Sequence, residues 1–299
     1  MAGTLTVSQA VCHIPELWST KTRDATEANT VITTLVDQTF MAPLKGGPGD
    51  TMNIPYISNP TANTKTANTN ITLEVIGPSS AEASQSATIS THQHVGFALE
   101  NITDVQSLTN LMAKYTGKAG YALAAAADTN VHTLPQNFSQ IEGTLGVEPN
   151  ENNWLRSSQY LDDALAPSDG RFICARPATY YALQKTTRFT NSDYAGQANA
   201  IRATERNKVG MIFNAPVYIT TLVRAPAASQ AENWFCHPLG VYYCSQQMKT
   251  NSPQFSIHQD ADVFSATHIY GYAEALQPPV TAGGAAATDI FNVLVRGVS

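Results

Sequence analysis

The amino-acid sequence predicts a mixed α+β fold in which a half-buried strand feeds a long helix and a second, strand-containing unit follows. Three observations carry that prediction. Ala87, Ile89, Thr91, Gln93, Val95, Phe97 and Leu99 fall on one face of an alternating stretch, the period-two signature of a strand with one side covered. Val105, Leu108, Leu111, Met112, Tyr115, Ala119 and Leu123 then recur at spacings of three and four, which is one face of a helix. Farther on, Arg171–Ala175 reads as a strand buried on both sides, and Pro177 stands where a helix favours proline, at its first position.

The segments follow in order. Residues 1–42 hold a modest apolar pattern: Leu17 and Trp18, the polar stretch Ser19–Asn29, then the β-branched run Thr30–Leu35. This reads as an amino-terminal arm that packs on another surface. Residues 43–86 begin with the turn cluster Gly46-Gly47-Pro48-Gly49-Asp50. Met52, Ile54 and Tyr56 alternate after it, Ser58–Asn70 is almost wholly polar, and Ile71–Ile76 leads back as a second strand. Strand, polar tip and strand describe a long hairpin, which is marginal alone in water and needs a neighbour to lie on.

Residues 87–165 form the next unit. Thr103 and Gln106 fit a capping box that starts a helix at Asp104. Running to Asp128, that helix would be about 38 Å long, with Gly117 and Gly120 as points for a bend. A loop over Val131–Asn153 precedes a helix at Trp154–Leu165. Residues 166–262 carry the Pro167–Gly170 turn, the strand and helix already named, a polar stretch at Asp193–Asn207, and a strand, turn and strand over Gly210–Ile219. Residues 263–299 return with strands at Ala266–Leu276 and Phe291–Val298, joined by the Gly/Ala/Thr-rich stretch Thr281–Thr288.

Composition narrows the function. Only 13% of the 299 residues are charged, about half the usual share, so copies of this chain repel one another little. The net charge is −6 and the 17 Lys and Arg are scattered, which argues against gripping nucleic acid, whose affinity comes from neutralised phosphates. No apolar stretch approaches the ~20 residues of a membrane span, and no basic segment followed by an apolar run marks a signal peptide. The protein is therefore expected to be soluble and to fold in a reducing cytoplasm.

Candidate chemistry is thin. Cys12, Cys174, Cys236 and Cys244 lack zinc spacing, and Cys236-His237 with Cys244 is at most a fragment of such a site. His92 and His94 share a strand face without a third ligand in view, and Asp162 and Asp163 diverge on a helix. There is no nucleophile elbow, and the 46–49 glycine cluster lacks the Lys-Ser/Thr of a phosphate cradle. The expectation is no catalysis, no cofactor and no metal.

The order of parts resembles the major capsid proteins of tailed bacteriophages, the HK-97-like fold. The stretches that carry the likeness are Ala87–Asp128, with Asn101-Ile102-Thr103-Asp104 leading into the Ala-rich helix, and Arg171–Tyr218, with Asp169-Gly170-Arg171 and Tyr180-Tyr181-Ala182-Leu183. Tyr242-Tyr243 and Tyr270-Gly271-Tyr272 follow, while Phe213-Asn214-Ala215-Pro216 departs from the family's Gly-Phe order at one turn. The resemblance implies an N-terminal arm (1–42), an extended β-hairpin loop (43–86), a peripheral domain with a spine helix (87–165), an axial α/β domain (166–262) and return strands to the peripheral domain (263–299). It implies a homo-oligomer of pentamers and hexamers forming an icosahedral head, built in the host cytoplasm. That head encloses DNA without sequence-specific binding and involves no membrane. A separate scaffolding protein, a portal and a cement protein would be its partners. Trp18, Lys45, Tyr56, Lys65, Ile71 and Leu73 are the residues expected at contacts between subunits, with no covalent crosslink from Lys45 or Lys65. Two other readings share these features: an encapsulin-type compartment shell, and, from a different class, a β-rich adhesin or hydrolase domain.

Overall fold

The computed structural model describes residues 27–55, 62–71, 73, 84–100, 111–185, 209–257, 260–276 and 290–299. Its largest element is a six-stranded sheet in the order β4-β11-β8-β5-β7-β6. These strands are β4 (Ile141–Glu142), β5 (Phe172–Ala175), β6 (Val209–Ile212), β7 (Ala215–Ile219), β8 (Ala231–Cys236) and β11 (Asn292–Gly297). Strands β5 and β8 are buried at every position, because both faces of the sheet are covered.

Side-chain alternation sends each strand's residues to two separate cores. Ile173, Ala175, Phe235, Val293 and Val295 meet Trp154 and Leu161 of helix α3 (Glu151–Asp163) and Tyr180 and Leu183 of helix α4 (Pro177–Lys185). Phe172, Cys174, Trp234, Cys236 and Leu294 meet the other core, which holds Ala127 and Val131 of helix α2 (Leu111–Val131). A continuous apolar run in the sequence is what such a doubly covered strand requires.

A three-stranded antiparallel sheet, β3-β10-β9, carries α2 on one face. Its strands are β3 (Thr91–Glu100), β9 (Val241–Ser256) and β10 (Ala261–Glu274). Phe264, Ala266, Val95 and Phe97 pack beneath Ala119, Leu123 and Met112 of the helix. The predicted alternation holds from Ala87 to Leu99, but as two strands rather than one. Residues β2 (Ser84–Thr88) pair with β1 (Thr51–Pro55), and β3 starts afresh at Thr91 to pair with β10. Gly271 permits the changeover: a Cβ there would lie 2.6 Å from the Thr88 carbonyl.

Several expectations change. Helix α2 runs through Gly117 and Gly120 without interruption and ends at Val131; the capping box at Thr103 and Gln106 and the stretch Asp193–Asn207 lie outside the described residues. Within the β-branched run Thr30–Leu35, read as part of an arm packing on another surface, Ile32–Leu35 forms one helical turn (α1), with Ile32 and Val36 in the core beside Val131. Residues 27–44 therefore lie on the chain's own body, where no core pattern was visible in the sequence. The division at 262 does not follow the sheets, since β9 belongs with β3 and β10 while β11 sits inside the six-stranded sheet.

Helix α3 starts at Glu151, three residues before the predicted Trp154, because Asn150 and Asn153 make a reciprocal capping box with two 3.0 Å hydrogen bonds. Replacing Asn150 by Ala should cost about 1 kcal/mol and lower the thermal midpoint by about 2 °C, read by scanning calorimetry. The Phe213-Asn214 turn between β6 and β7 has both residues at positive φ, 50° and 64°. That is the two-residue hairpin geometry whose twist matches paired strands, here without the usual glycine.

Candidate assembly surface

The loop that begins near residue 43 is held at its base by many short contacts. Gly46 and Gly49 adopt φ of 69° and 106°, as the predicted turn cluster requires. The Gly46 amide donates to the Gln246 carbonyl at 3.0 Å, and the Gln246 side chain donates to the Gly49 and Gly47 carbonyls at 2.8 and 3.2 Å. Met41, Leu44, Ile54, Ala87 and Ile89 close over Tyr242, Cys244 and Ala275 as a small core. The Gln85 side chain donates to the Glu274 carbonyl and accepts from the Leu276 amide.

Strand β1 pairs with Ser84–Thr88, in the register Thr51↔Thr88 to Pro55↔Ser84; of the expected return strand Ile71–Ile76 only Ile71 and Leu73 are among the described residues. Ile71 and Leu73 stand out in solvent, 69% and 85% exposed. Residues 62–70 are exposed throughout. The base is thus rigidly attached, whereas the projecting part offers its apolar side chains to nothing in this chain's described residues.

Of the six expected contact residues, Trp18 and Tyr56 lie outside the described residues. Lys45 is exposed at the loop base, near Cys244, and Lys65 is exposed on the projection with Ile71 and Leu73. A second exposed apolar surface, not foreseen in the sequence, lies on the three-stranded sheet, where β9 is the edge strand of a β9–β10 hairpin that β3 flanks as far as Ala261. Met248 and Phe255 are exposed there, and Ile257 is 86% exposed. The signal was available: isolated apolar residues in a polar stretch, Gln246–Ile257, are what an edge strand reaching for a partner looks like. Phe40 is a further exposed ring, edge-on to Tyr242 at 5.4 Å.

The polar candidates have structural employment. His237 bonds through Nε2 to the Asp169 carbonyl at 3.0 Å, while Nδ1 accepts from the Leu239 amide at 3.2 Å. Burial lowers the His237 pKa, so both ring nitrogens are engaged in the neutral form. Cys236 and Cys244 sit in different cores. Asp162 binds Arg171 at 2.8 Å and Asp163 accepts from Gln159, so the two carboxyls serve separate partners. His92 and His94 line the open face of β3, His94 in a row with Thr267 and Lys249 across the sheet. A polar recess of about 580 Å³ is lined by Glu142, Asn150, Asn153, Arg156 and neighbours. Asn153 bonds Glu142 at 3.4 Å there, and a hydrogen bond to Glu142 raises the Tyr160 pKa. Among the described residues no three His, Cys, Asp or Glu gather as a metal site, and no helix is long and apolar enough to cross a membrane.

No protein-family model matches the chain, and no curated protein matches it in sequence. Solved structures do match. A structure from Mycobacterium phage Che8 superposes with a TM-score of 0.75 at 21% identity, covering 94% of this chain and 96% of that one. The capsid structure of cyanophage P-SCSP1u gives 0.72 at 11% identity, over 94% and 92%. The mature capsid of bacteriophage PhiM1 gives 0.69 at 13%, over 94% and 92%. Similarity that spans whole chains at such low identity establishes a shared fold, the one used by phage capsid subunits.

Proposed function

We propose that this chain is the major capsid protein of a tailed bacteriophage, a subunit that assembles into the icosahedral shell around the viral DNA. The observation that supports this most is full-length agreement of fold with phage capsid structures, together with two groups of exposed apolar side chains, Ile71 with Leu73 and Met248 with Phe255 and Ile257. In this reading residues 43–86 are the extended loop, α2 is the spine of the peripheral domain, and residues 166–262, which hold β5 to β8 of the six-stranded sheet, form the axial domain. Ile71 and Leu73 dock on one neighbour, and the β9–β10 hairpin on another. Trp18, Tyr56, Lys45 and Lys65 belong to the same contacts.

Mechanically, each contact is modest. Burying an exposed Ile or Leu contributes about 1.5–3 kcal/mol. A subunit held by several neighbours at once gains the sum, because each further contact forms without new translational cost. The low charge density and a net charge of −6 suit a shell that surrounds DNA without gripping it. In this reading assembly uses a separate scaffolding protein in the host cytoplasm, a portal at one vertex and, if the surface is decorated, a cement protein. The test is negative-stain microscopy and sedimentation of the purified protein with and without its scaffolding partner. Closed particles of uniform size are expected. A species that remains monomeric or trimeric under both conditions would instead favour the adhesin or hydrolase reading.

A further inference from the structure

Asp128 is completely buried near the end of α2, yet it is fully used. Its Oδ2 accepts from the Val31 amide at 3.0 Å, and its Oδ1 accepts from the Thr33 amide at 3.1 Å and the Thr33 hydroxyl at 3.2 Å. The carboxylate thereby caps the turn α1 from a residue 95 positions away in sequence. Other contacts lay the same segment along α2: Glu27 pairs with Lys118 at 2.6 Å, and the Ala28 amide donates to the Tyr121 hydroxyl at 2.7 Å. The Thr220 hydroxyl donates to the Asn29 carbonyl at 2.6 Å.

One helical turn beyond Asp128 stands His132, also fully buried, and neither of its ring nitrogens has a hydrogen-bond partner. Its Nε2 lies 3.9 Å from Asp128 Oδ2, too far for a hydrogen bond while that oxygen is held by Val31. Trp234 of β8 meets the imidazole edge-on at 5.2 Å, and Phe138 packs on the same indole. Ile32 and Val36, on the segment that Asp128 holds, lie in this same core. Among the described residues, the other titratable groups facing the pair are uncharged: burial raises the pKa of Cys174 from β5, of Tyr243 from β9 and of Tyr270 from β10, whose hydroxyl accepts from Asn130.

The geometry points to a latch: Asp128 holds residues 27–37 on α2, and proton uptake by His132 draws that carboxylate away and releases the segment. A neutral His132 makes no claim on Asp128. An imidazolium in the same dry site is tolerable only with a counter-ion, and the nearest one is engaged elsewhere. Either Asp128 rotates to it and drops Val31 and Thr33, or the segment lifts and lets water reach the ring. Both outcomes undock the same residues.

The sign follows from burial, which holds the His132 pKa at about 3, below its ordinary 6.5. The docked state is therefore fully favoured above pH 6.5 and loses ground as pH falls from there toward 3. Each pH unit in that window multiplies the undocked-to-docked ratio by up to tenfold, roughly 30-fold between pH 6.5 and 5.0. This latch is independent of the assembly reading and would operate in the isolated subunit.

Amide hydrogen exchange of the full-length protein, corrected for intrinsic rates, tests it at pH 7.5 and pH 5.0. Peptides covering 27–37 should lose protection by about 30-fold at pH 5.0, while peptides covering 231–236 keep theirs. His132→Gln and His132→Phe, made separately in case one fails to fold, should abolish the pH dependence. Thr33→Val should loosen the segment at both pH values. Equal protection of 27–37 at the two pH values overturns the proposal. So does loss shared equally by 231–236, or an acid response that survives in a folded His132 variant.

Discussion

Removing residues 58–70 is expected to leave a folded, soluble subunit that no longer forms closed particles. The deletion touches nothing in the small core at the loop base, where Met41, Leu44, Ile54, Ala87 and Ile89 stay in place. Circular dichroism and the thermal midpoint should therefore match the intact protein. The loss falls on contacts between copies, because the shortened loop can no longer carry Ile71 and Leu73 to a neighbour. At about 1.5–3 kcal/mol for each side chain, repeated at every position of a shell, a few kcal/mol per subunit separates particles from monomers. A double change, Ile71→Asp with Leu73→Asp, should give the same result with the loop length kept. Particles of normal yield from either variant, seen by microscopy, would remove the loop from the assembly contacts.

Replacing Trp234 by Ala should produce the largest loss of stability of any single change described for this chain, about 3–5 kcal/mol. Trp234 is fully buried in β8, between Leu294 of β11 and Cys174 of β5 in register. Its ring meets both His132 and Phe138 edge-on. The vacated volume is walled by a sheet interior and by α2, neither of which can collapse into it. Against a total stability of about 5–15 kcal/mol, such a loss leaves a substantial unfolded population near physiological temperature. The expected readout is a lower urea midpoint with an unchanged slope, together with poor soluble yield. A midpoint within error of the intact protein would mean that this core does not hold the two layers together.

Much of the architecture was visible in the sequence because local patterning and tertiary demand agreed. The Ala87–Leu99 alternation, the described part of the α2 stripe at Ala119 and Leu123, and the apolar run at Phe172–Ala175 each appear where their periodicity placed them. The misses have physical causes. Ile32, Val36, Met41 and Leu44 are core residues spaced irregularly in a polar stretch, so no period betrays them. The return strand Ser84–Thr88 carries one buried residue, Ala87, and its pairing rests on backbone hydrogen bonds that any sequence can make. Ile71–Ile76 has the better strand composition, but Thr72 and Glu74–Ile76 lie outside the described residues. Strands β8 and β9 went unassigned although Trp234-Phe235-Cys236 and Val241-Tyr242-Tyr243-Cys244 flank a Pro-Leu-Gly turn, a signal that was there to be used. The contact residues were only partly legible. Apolar side chains in a polar loop stood out, whereas Met248, Phe255 and Ile257 lie in a stretch for which the sequence reading assigned no element.

Strand β11 sits between β4 and β8, yet it comes from residues 292–297, synthesised after the other five strands of its sheet. A nascent subunit that has not reached those residues shows an open ladder edge along β8 and uncovered Phe235 and Trp234 on its two sides. The layer therefore cannot close before residues 292–297 have been made, and the sequence separation of its partners makes that closure a late, slow event. Timing follows from topology: a chain that stops short of residue 292 lacks the strand that joins β4 to the rest of its largest sheet.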